Sequence, residues 1–177
     1  MKFIKEKKIV DKDVKIDFFS LIFSSAVFVG FIPKASGTFG SLFALIFFLI
    51  PRFNDLIIIA PVTIIVFFLG IITSSNMSKK YGDDPSVVVI DEVAGMWMTI
   101  LILKLFFLKS GNINLLTLTV AFFTFRFFDI FKIFPATYFD KIKSGFGIMM
   151  DDVIAGIYAG ISCGIIIYLY KVLFIIN

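Results

Sequence analysis

The stretch VVVIDEVAGMWMTILIL (87–103) reads as membrane helix apart from two adjacent carboxylates, Asp91 and Glu92. A second stretch, GIMMDDVIAGIYAGISCGIIIYL (147–169), repeats the arrangement with Asp151 and Asp152. Charges are costly in lipid and are usually kept there for a function. Neighbouring carboxylates also repel, so a shared cation or proton relieves them. On a helix, Asp91 and Glu92 point about 100° apart with Gly95 between them, which leaves room for an ion or a phosphate close to the backbone. Ala155 holds the corresponding place beside Asp151 and Asp152. The bland reading is that the acids occupy solvated helix N-termini, where negative charge suits the dipole.

Composition agrees with a membrane setting. The chain has 177 residues, 59% of them hydrophobic, with 25 Phe and a mean hydropathy of +1.02. A water-soluble domain needs a more polar outside, a demand that lipid contact removes. The expected fold is all-α, an integral membrane bundle of up-and-down helices; a very oily soluble helical domain is the alternative. The formal charge of +4 fits anionic lipid headgroups. No basic stretch alternates with exposed aromatics, so nucleic acid is not an implied partner.

Missing residue types narrow the chemistry. There is no histidine, which excludes phosphohistidine intermediates, Ser-His-Asp triads and His-ligated zinc. Cys163 is the only cysteine, and Leu169 stands where a thiol phosphatase needs Arg, so Cys163 reads as a packing residue. What remains is carboxylates, lysines, arginines, hydroxyls and metal. Hard oxygen donors without a His or thiolate cluster point to Mg²⁺.

Six apolar runs cover roughly 18–32, 39–50, 56–73, 87–108, 115–134 and 146–176. The second is too short for the ~20 residues of a full span and reads as re-entrant or buried. No low-complexity linker divides them, so a single domain (1–177) is expected, with 1–17 as a charged N-terminal arm. Successive runs that alternate in direction bring odd-numbered turns to one side. That side collects Ser36–Ser41, Ser74–Asn76, Asp91-Glu92, Arg126, Asp129, Lys132 and Asp151-Asp152. The other side, around Arg52 and Lys109, is ordinary. The convergence also holds if the first two runs both fail to span.

FRFFDIFK (125–132) spaces Arg126, Asp129 and Lys132 by three, one polar side of a helix. The two bases can clamp phosphate while Asp129 binds metal or orients a base; an internal salt bridge is the plainer alternative. KASGTFGSL (34–42) opens an apolar helix, where backbone N–H groups and the hydroxyls of Ser36, Thr38 and Ser41 can cradle an anion. It is not a P-loop, since the Gly-Lys-Ser/Thr ending is missing. Ser74, Ser75 and Asn76 can bond substrate or cap a helix end. Gly156, Gly160 and Gly164 form a small-residue seam for close helix packing, and Trp97 reads as an anchor. IFKIFPATYFDKIKSG (130–145) reads as interfacial, with Phe131, Phe134, Tyr138, Phe139 and Ile142 at headgroup level and Lys132, Lys141 and Lys143 near phosphates.

GTFGSL (37–42), VIDEVAGMW (89–97), FRFFDIFKIFP (125–135) and GFGIMMDDVIAG (145–156), in this order, resemble the phosphatidylglycerophosphatase A family. Ser36 stands where proline is expected and Phe39 where methionine is common; neither change removes a polar group. The resemblance implies an all-helical enzyme of the bacterial inner membrane. It implies Mg²⁺-dependent removal of the terminal phosphate of phosphatidylglycerophosphate, with the site expected at the cytoplasmic face, although lysine counts on the two sides do not fix the orientation. It also implies an acidic centre of Asp91, Glu92, Asp129, Asp151 and Asp152. On that basis these five acids are the expected metal ligands. Asp91, Glu92 and Asp151 are the expected catalytic residues, with Asp91 or Asp151 positioning the water. Thr38, Ser41, Asn76, Arg126 and Lys132 are the expected substrate contacts. A small cation transporter with acids lining its pathway, and a non-catalytic membrane scaffold, are the rival classes. A phosphatidyltransferase is a nearer rival, but no D-G-x-x-A-R pattern is present.

Overall fold

A computed structural model describes residues 14–108 and 113–174. Among these residues seven helices follow one another: α1 (Phe18–Ser24), α2 (Ser36–Ile46), α3 (Leu56–Tyr81), α4 (Ile90–Phe106), α5 (Leu115–Ile130), α6 (Ala136–Phe139) and α7 (Gly145–Phe174). Short 3₁₀ turns occur at Val29–Phe31 and Phe47–Leu49. No strand occurs among the described residues. Most of the charged N-terminal arm and Lys109 lie outside them.

The first apolar run is not a span. α1 starts on Asp17, whose carboxylate accepts the Ser20 N–H at 2.7 Å, but it stops after seven residues. Ala26, Val27 and Phe28 then take left-handed conformations, with φ of 45°, 57° and 69°. Non-glycine residues adopt that region rarely, and three in succession turn the chain back. The second run is also too short: Ser36–Leu49 would reach about 21 Å at 1.5 Å per residue, against a hydrocarbon core of about 30 Å. Both early runs therefore fail to cross, the condition under which the motifs still share one face.

α3 and α7 are long and apolar enough to cross a membrane. α3 is built inside out relative to a soluble helix. Ile57, Ile64, Ile65, Phe68 and Ile72 are exposed, whereas Thr63, Thr73, Ser74 and Ser78 are buried. The inner hydroxyls bond their own helix: Thr63 Oγ1 donates to Ile59 O at 2.7 Å, and Ser78 Oγ to Ser74 O at 3.0 Å. A lipid-facing outside accounts for this arrangement. Lys79 and Lys80 close the last turn, where positive charge suits the dipole.

α4 is the central helix, buried on nearly every side. α7 crosses it closely because glycines remove side chains at the contact. A Cβ at Gly156 would collide with Gly95 O, one at Gly160 would lie 2.7 Å from Thr99 O, and one at Gly164 would enter the Phe107 ring. The 156/160/164 seam is thus the α4–α7 contact. The space beside Gly95 is taken as well: a Cβ there would lie 2.6 Å from Asp152 O and from the Phe125 ring. The glycine admits the neighbouring helix, not an ion or a phosphate, which corrects the reading from helical phase. Trp97 is a packing residue: its Nε1 donates to Ala44 O at 3.0 Å, and its ring meets Phe47 and Phe53 edge-on. Cys163 is fully buried.

Candidate active site

Five elements end at one place. The first turn of α4 brings Asp91 and Glu92, and the second turn of α7 brings Asp151 and Asp152. Because α4 and α7 touch backbone to backbone at Gly95, Asp152 is drawn towards the α4 acids. Carboxylate oxygens of Asp91, Glu92 and Asp152 all lie within 4.8 Å of one another. Asp91 and Asp152 are buried. Asp91 Oδ1 and Glu92 Oε2 are shielded from solvent and have no hydrogen-bond partner. Leaving such groups without a partner is costly. A hard divalent cation satisfies both the missing partners and the mutual repulsion, so this donor set fits Mg²⁺.

The other two expected ligands turn elsewhere. Asp129 pairs with Arg126 at 2.5 Å, the i,i+3 salt bridge read as the plainer alternative. Asp151 Oδ2 meets Lys132 Nζ at 2.5 Å, and its Oδ1 accepts the Asp152 N–H at 3.0 Å. Lys132 is not the third member of a helical stripe. α5 ends at Ile130, and Phe131 leaves helical geometry with ψ of 57°. The free turn lets Lys132 reach Asp151 and, on its other side, Asp140 Oδ1 at 2.5 Å. Burial works against the charge on Lys132, but Asp151 and Asp140 outweigh it and hold the ammonium above the ordinary lysine range. A raised lysine pKa means that the pair is intact at neutral pH and is lost only as pH climbs through the elevated value.

The N-terminus of α2 meets Arg126 of α5 beside the trio. Its N-cap, Ala35, offers no side-chain bond, so the first-turn N–H groups, that of Thr38 included, have no intrahelical partner. Thr38 itself is half-buried. Ser41 Oγ donates to Gly37 O at 2.9 Å and accepts a long bond from Arg126 Nη1 at 3.4 Å. A Cβ at Gly37 would collide with Glu92 Oε1 and lie 3.1 Å from Arg126 Nη1. The helix start, the guanidinium and the acidic trio therefore meet at Gly37.

Asn76 is engaged away from this point. Its amide donates to Ser20 Oγ at 3.2 Å and accepts from Lys79 at 2.9 Å, which ties α1 to α3. The 74–76 segment does not end a helix, because α3 runs on to Tyr81. Ser75 nevertheless caps one: its Oγ accepts the N–H of Gly145, the first residue of α7, at 3.0 Å.

Two acids gain importance only in three dimensions. Asp84, left-handed at φ 48°, lies near enough for its charge to act on Asp91 and Asp151. Asp140 shares Lys132 with Asp151. Asp83, Asp84, Asp140, Lys143, Ser144 and Asp151 line a cavity of about 30 Å³. In the sequence, Asp83 and Asp84 stand in a Gly82-Asp83-Asp84-Pro85 turn a few residues before α4, where turn-forming residues alone account for them.

The family model for phosphatidylglycerophosphatase A matches residues 22–167. The chain belongs to that family. Among curated relatives, phosphatidylglycerophosphatase A of Haemophilus influenzae is 35% identical over 133 residues, covering 73% of this chain and 77% of the relative. Phosphatidylglycerophosphatase A of Escherichia coli is 30% identical over 142 residues, covering 79% and 77%. A Bacteroides thetaiotaomicron protein, provisionally named as a phosphatidylinositol-3-phosphatase, is 36% identical over 135 residues, covering 73% and 82%. No solved structure matches. Every residue of the trio, the Arg126–Asp129 pair and the Lys132 bridge falls inside the matched segment.

Proposed function

We propose that the protein hydrolyses the terminal phosphomonoester of phosphatidylglycerophosphate to phosphatidylglycerol, using Mg²⁺ held by Asp91, Glu92 and Asp152. The observation that carries this reading is the carboxylate trio, two of its members buried and Glu92 half-buried, beside an arginine and an open helix N-terminus, set in a lipid-facing bundle of this family. When bound, a divalent ion supplies charge neutralisation for the phosphoryl oxygens. The chain's own groups do the rest. Arg126, freed from part of its contact with Asp129, donates to the phosphate together with the first-turn N–H groups of α2 and Ser41. Lys132 neutralises a further oxygen. One carboxylate takes a proton from the attacking water and passes it to the departing glycerol oxygen; Asp151 has both oxygens engaged, which leaves Asp91 for that role. Asp91 is therefore assigned as the base and Asp151 as the anchor of Lys132. Asp129 serves as the resting partner of Arg126. Phosphoryl transfer depends mainly on positioning and charge stabilisation, and these parts supply both.

The acyl chains remain in the bilayer while the headgroup enters from its surface. The exposed side chains of Phe131, Phe134 and Tyr138 beside Lys132 suit the headgroup layer. The bacterial inner membrane, with the site at its cytoplasmic face, is the setting this reading adopts.

The Bacteroides relative favours a second headgroup, phosphatidylinositol 3-phosphate, which is also a phosphomonoester on a polyol. Phosphate release from the two lipids, offered side by side to the purified protein in mixed micelles, separates the readings. The proposal expects the glycerol lipid to be hydrolysed with the higher kcat/KM. A preference for the inositol lipid would overturn the headgroup assignment, and release from neither would overturn the phosphatase assignment.

A further inference from the structure

Lys132 is held by two carboxylates of unlike standing. The Asp151 side chain is 6% exposed and is tied a second time, to the Asp152 N–H. The Asp140 side chain is 42% exposed, and its ion pair with Lys132 is the contact that joins it to the site. An exposed carboxylate exchanges an ion pair for water at little cost, whereas a buried one left alone is heavily penalised. When an anion arrives at Lys132, Asp140 is the partner that yields.

The surroundings leave it free to do so. The cavity of about 30 Å³ adjoins Asp140 and Asp151, more than the ~10–15 Å³ that one water or oxygen-sized group needs. The segment carrying Asp140 is anchored by other means. Phe134 O accepts the Tyr158 hydroxyl at 2.9 Å, and the Phe139 ring meets the Phe146 ring edge-on at 5.9 Å. A swing of the Asp140 side chain leaves both anchors intact.

We propose that Asp140 is a displaceable stand-in for a phosphate oxygen: it occupies the Lys132 ammonium in the empty site and so sets the affinity for phosphomonoester anions. The idea rests on the phosphatase reading above and names an affinity-determining residue for it. With both carboxylates in place, the Lys132 group carries a net negative charge that opposes an incoming phosphate. Without Asp140 the group is neutral.

The test uses Asp140→Asn and the charge-preserving Asp140→Glu in the full-length protein with Mg²⁺ present. One arm measures inorganic phosphate binding by calorimetry; the other measures KM and kcat for phosphatidylglycerophosphate in micelles. In the Asn variant, Kd for phosphate and KM for the lipid should both fall about 2- to 5-fold, the range a partly exposed ion pair allows, with KM moving more than kcat. The Glu variant should stay near wild type, and adding Lys132→Ala should erase the gain. Unchanged or weaker phosphate affinity in Asp140→Asn overturns the proposal, as does absence of phosphate binding in both proteins. The binding arm needs no turnover, so a wild type that binds phosphate without hydrolysing lipid would refute the phosphatase reading alone.

Discussion

Replacing Asp152 by Asn separates cation binding from fold stability. Asp152 is buried, and one of its oxygens lies within 4.8 Å of an oxygen on each of Asp91 and Glu92. Two unit charges at that distance repel by about 3.5 kcal/mol at an effective dielectric of 20. Asn keeps the shape and removes the charge, so the cation-free variant should melt no lower than cation-free wild type. Saturating Mg²⁺ changes the comparison. At about 100 times Kd a ligand adds roughly 2.7 kcal/mol, worth about 5–10 °C in a chain of this size. Wild type should gain that increment and Asp152→Asn should gain little or none. Trp97 is the single tryptophan and is buried on α4 against Phe47 and Phe53, so its fluorescence reports melting of the helix that carries the site. A variant with the full Mg²⁺-dependent shift, or a wild type indifferent to Mg²⁺, Mn²⁺ and Ca²⁺ alike, would refute the reasoning.

Three further outcomes follow from the same geometry. Gly95→Ala forces a methyl to 2.6 Å from Asp152 O and the Phe125 ring; overpacking of this kind costs about 1–3 kcal/mol, so melting temperature and phosphate release should fall together, and a neutral effect on both would contradict the close α4–α7 contact. Arg126→Gln removes the charge-assisted bond to phosphate proposed above, of a kind worth about 1.5–3 kcal/mol, so kcat/KM should fall roughly 10- to 100-fold, as measured by initial rates. In a Cys163→Ala background, single cysteines at Lys79 and Lys143, both exposed, should react with an impermeant maleimide from the same side of sealed vesicles; labelling from opposite sides would break the common face.

Much of this arrangement was legible because lipid solvation writes itself into composition. The hydrophobic lengths of α3 and α7 and the paired acids interrupting 87–103 and 147–169 needed no tertiary knowledge. The glycine seam on α7 also read correctly, since spacing by four places small residues on one helical side. What failed depended on atoms distant in sequence. Gly95 looked like space for a ligand, but whether a gap is filled depends on the neighbouring helix, and here Asp152 O fills it. The sequence spacing continues a helical stripe to Lys132, but the helix stops two residues earlier, at Ile130. The first run looked continuous because nothing in Ala26-Val27-Phe28 signals three left-handed residues. Asp84 and Asp140 sit in polar turns, where an acid is unremarked until its neighbours are known.

The account stands most directly on metal-dependent phosphate release by the pure enzyme. Phosphatidylglycerophosphate in micelles is given to folded protein stripped of divalent ions, and inorganic phosphate is followed before and after Mg²⁺ is restored. The expected record is negligible release in chelator, steady release on adding Mg²⁺, and none at any Mg²⁺ concentration for Asp91→Asn. Equal release in chelator, or undiminished release by Asp91→Asn, would contradict a catalytic centre built on these buried carboxylates.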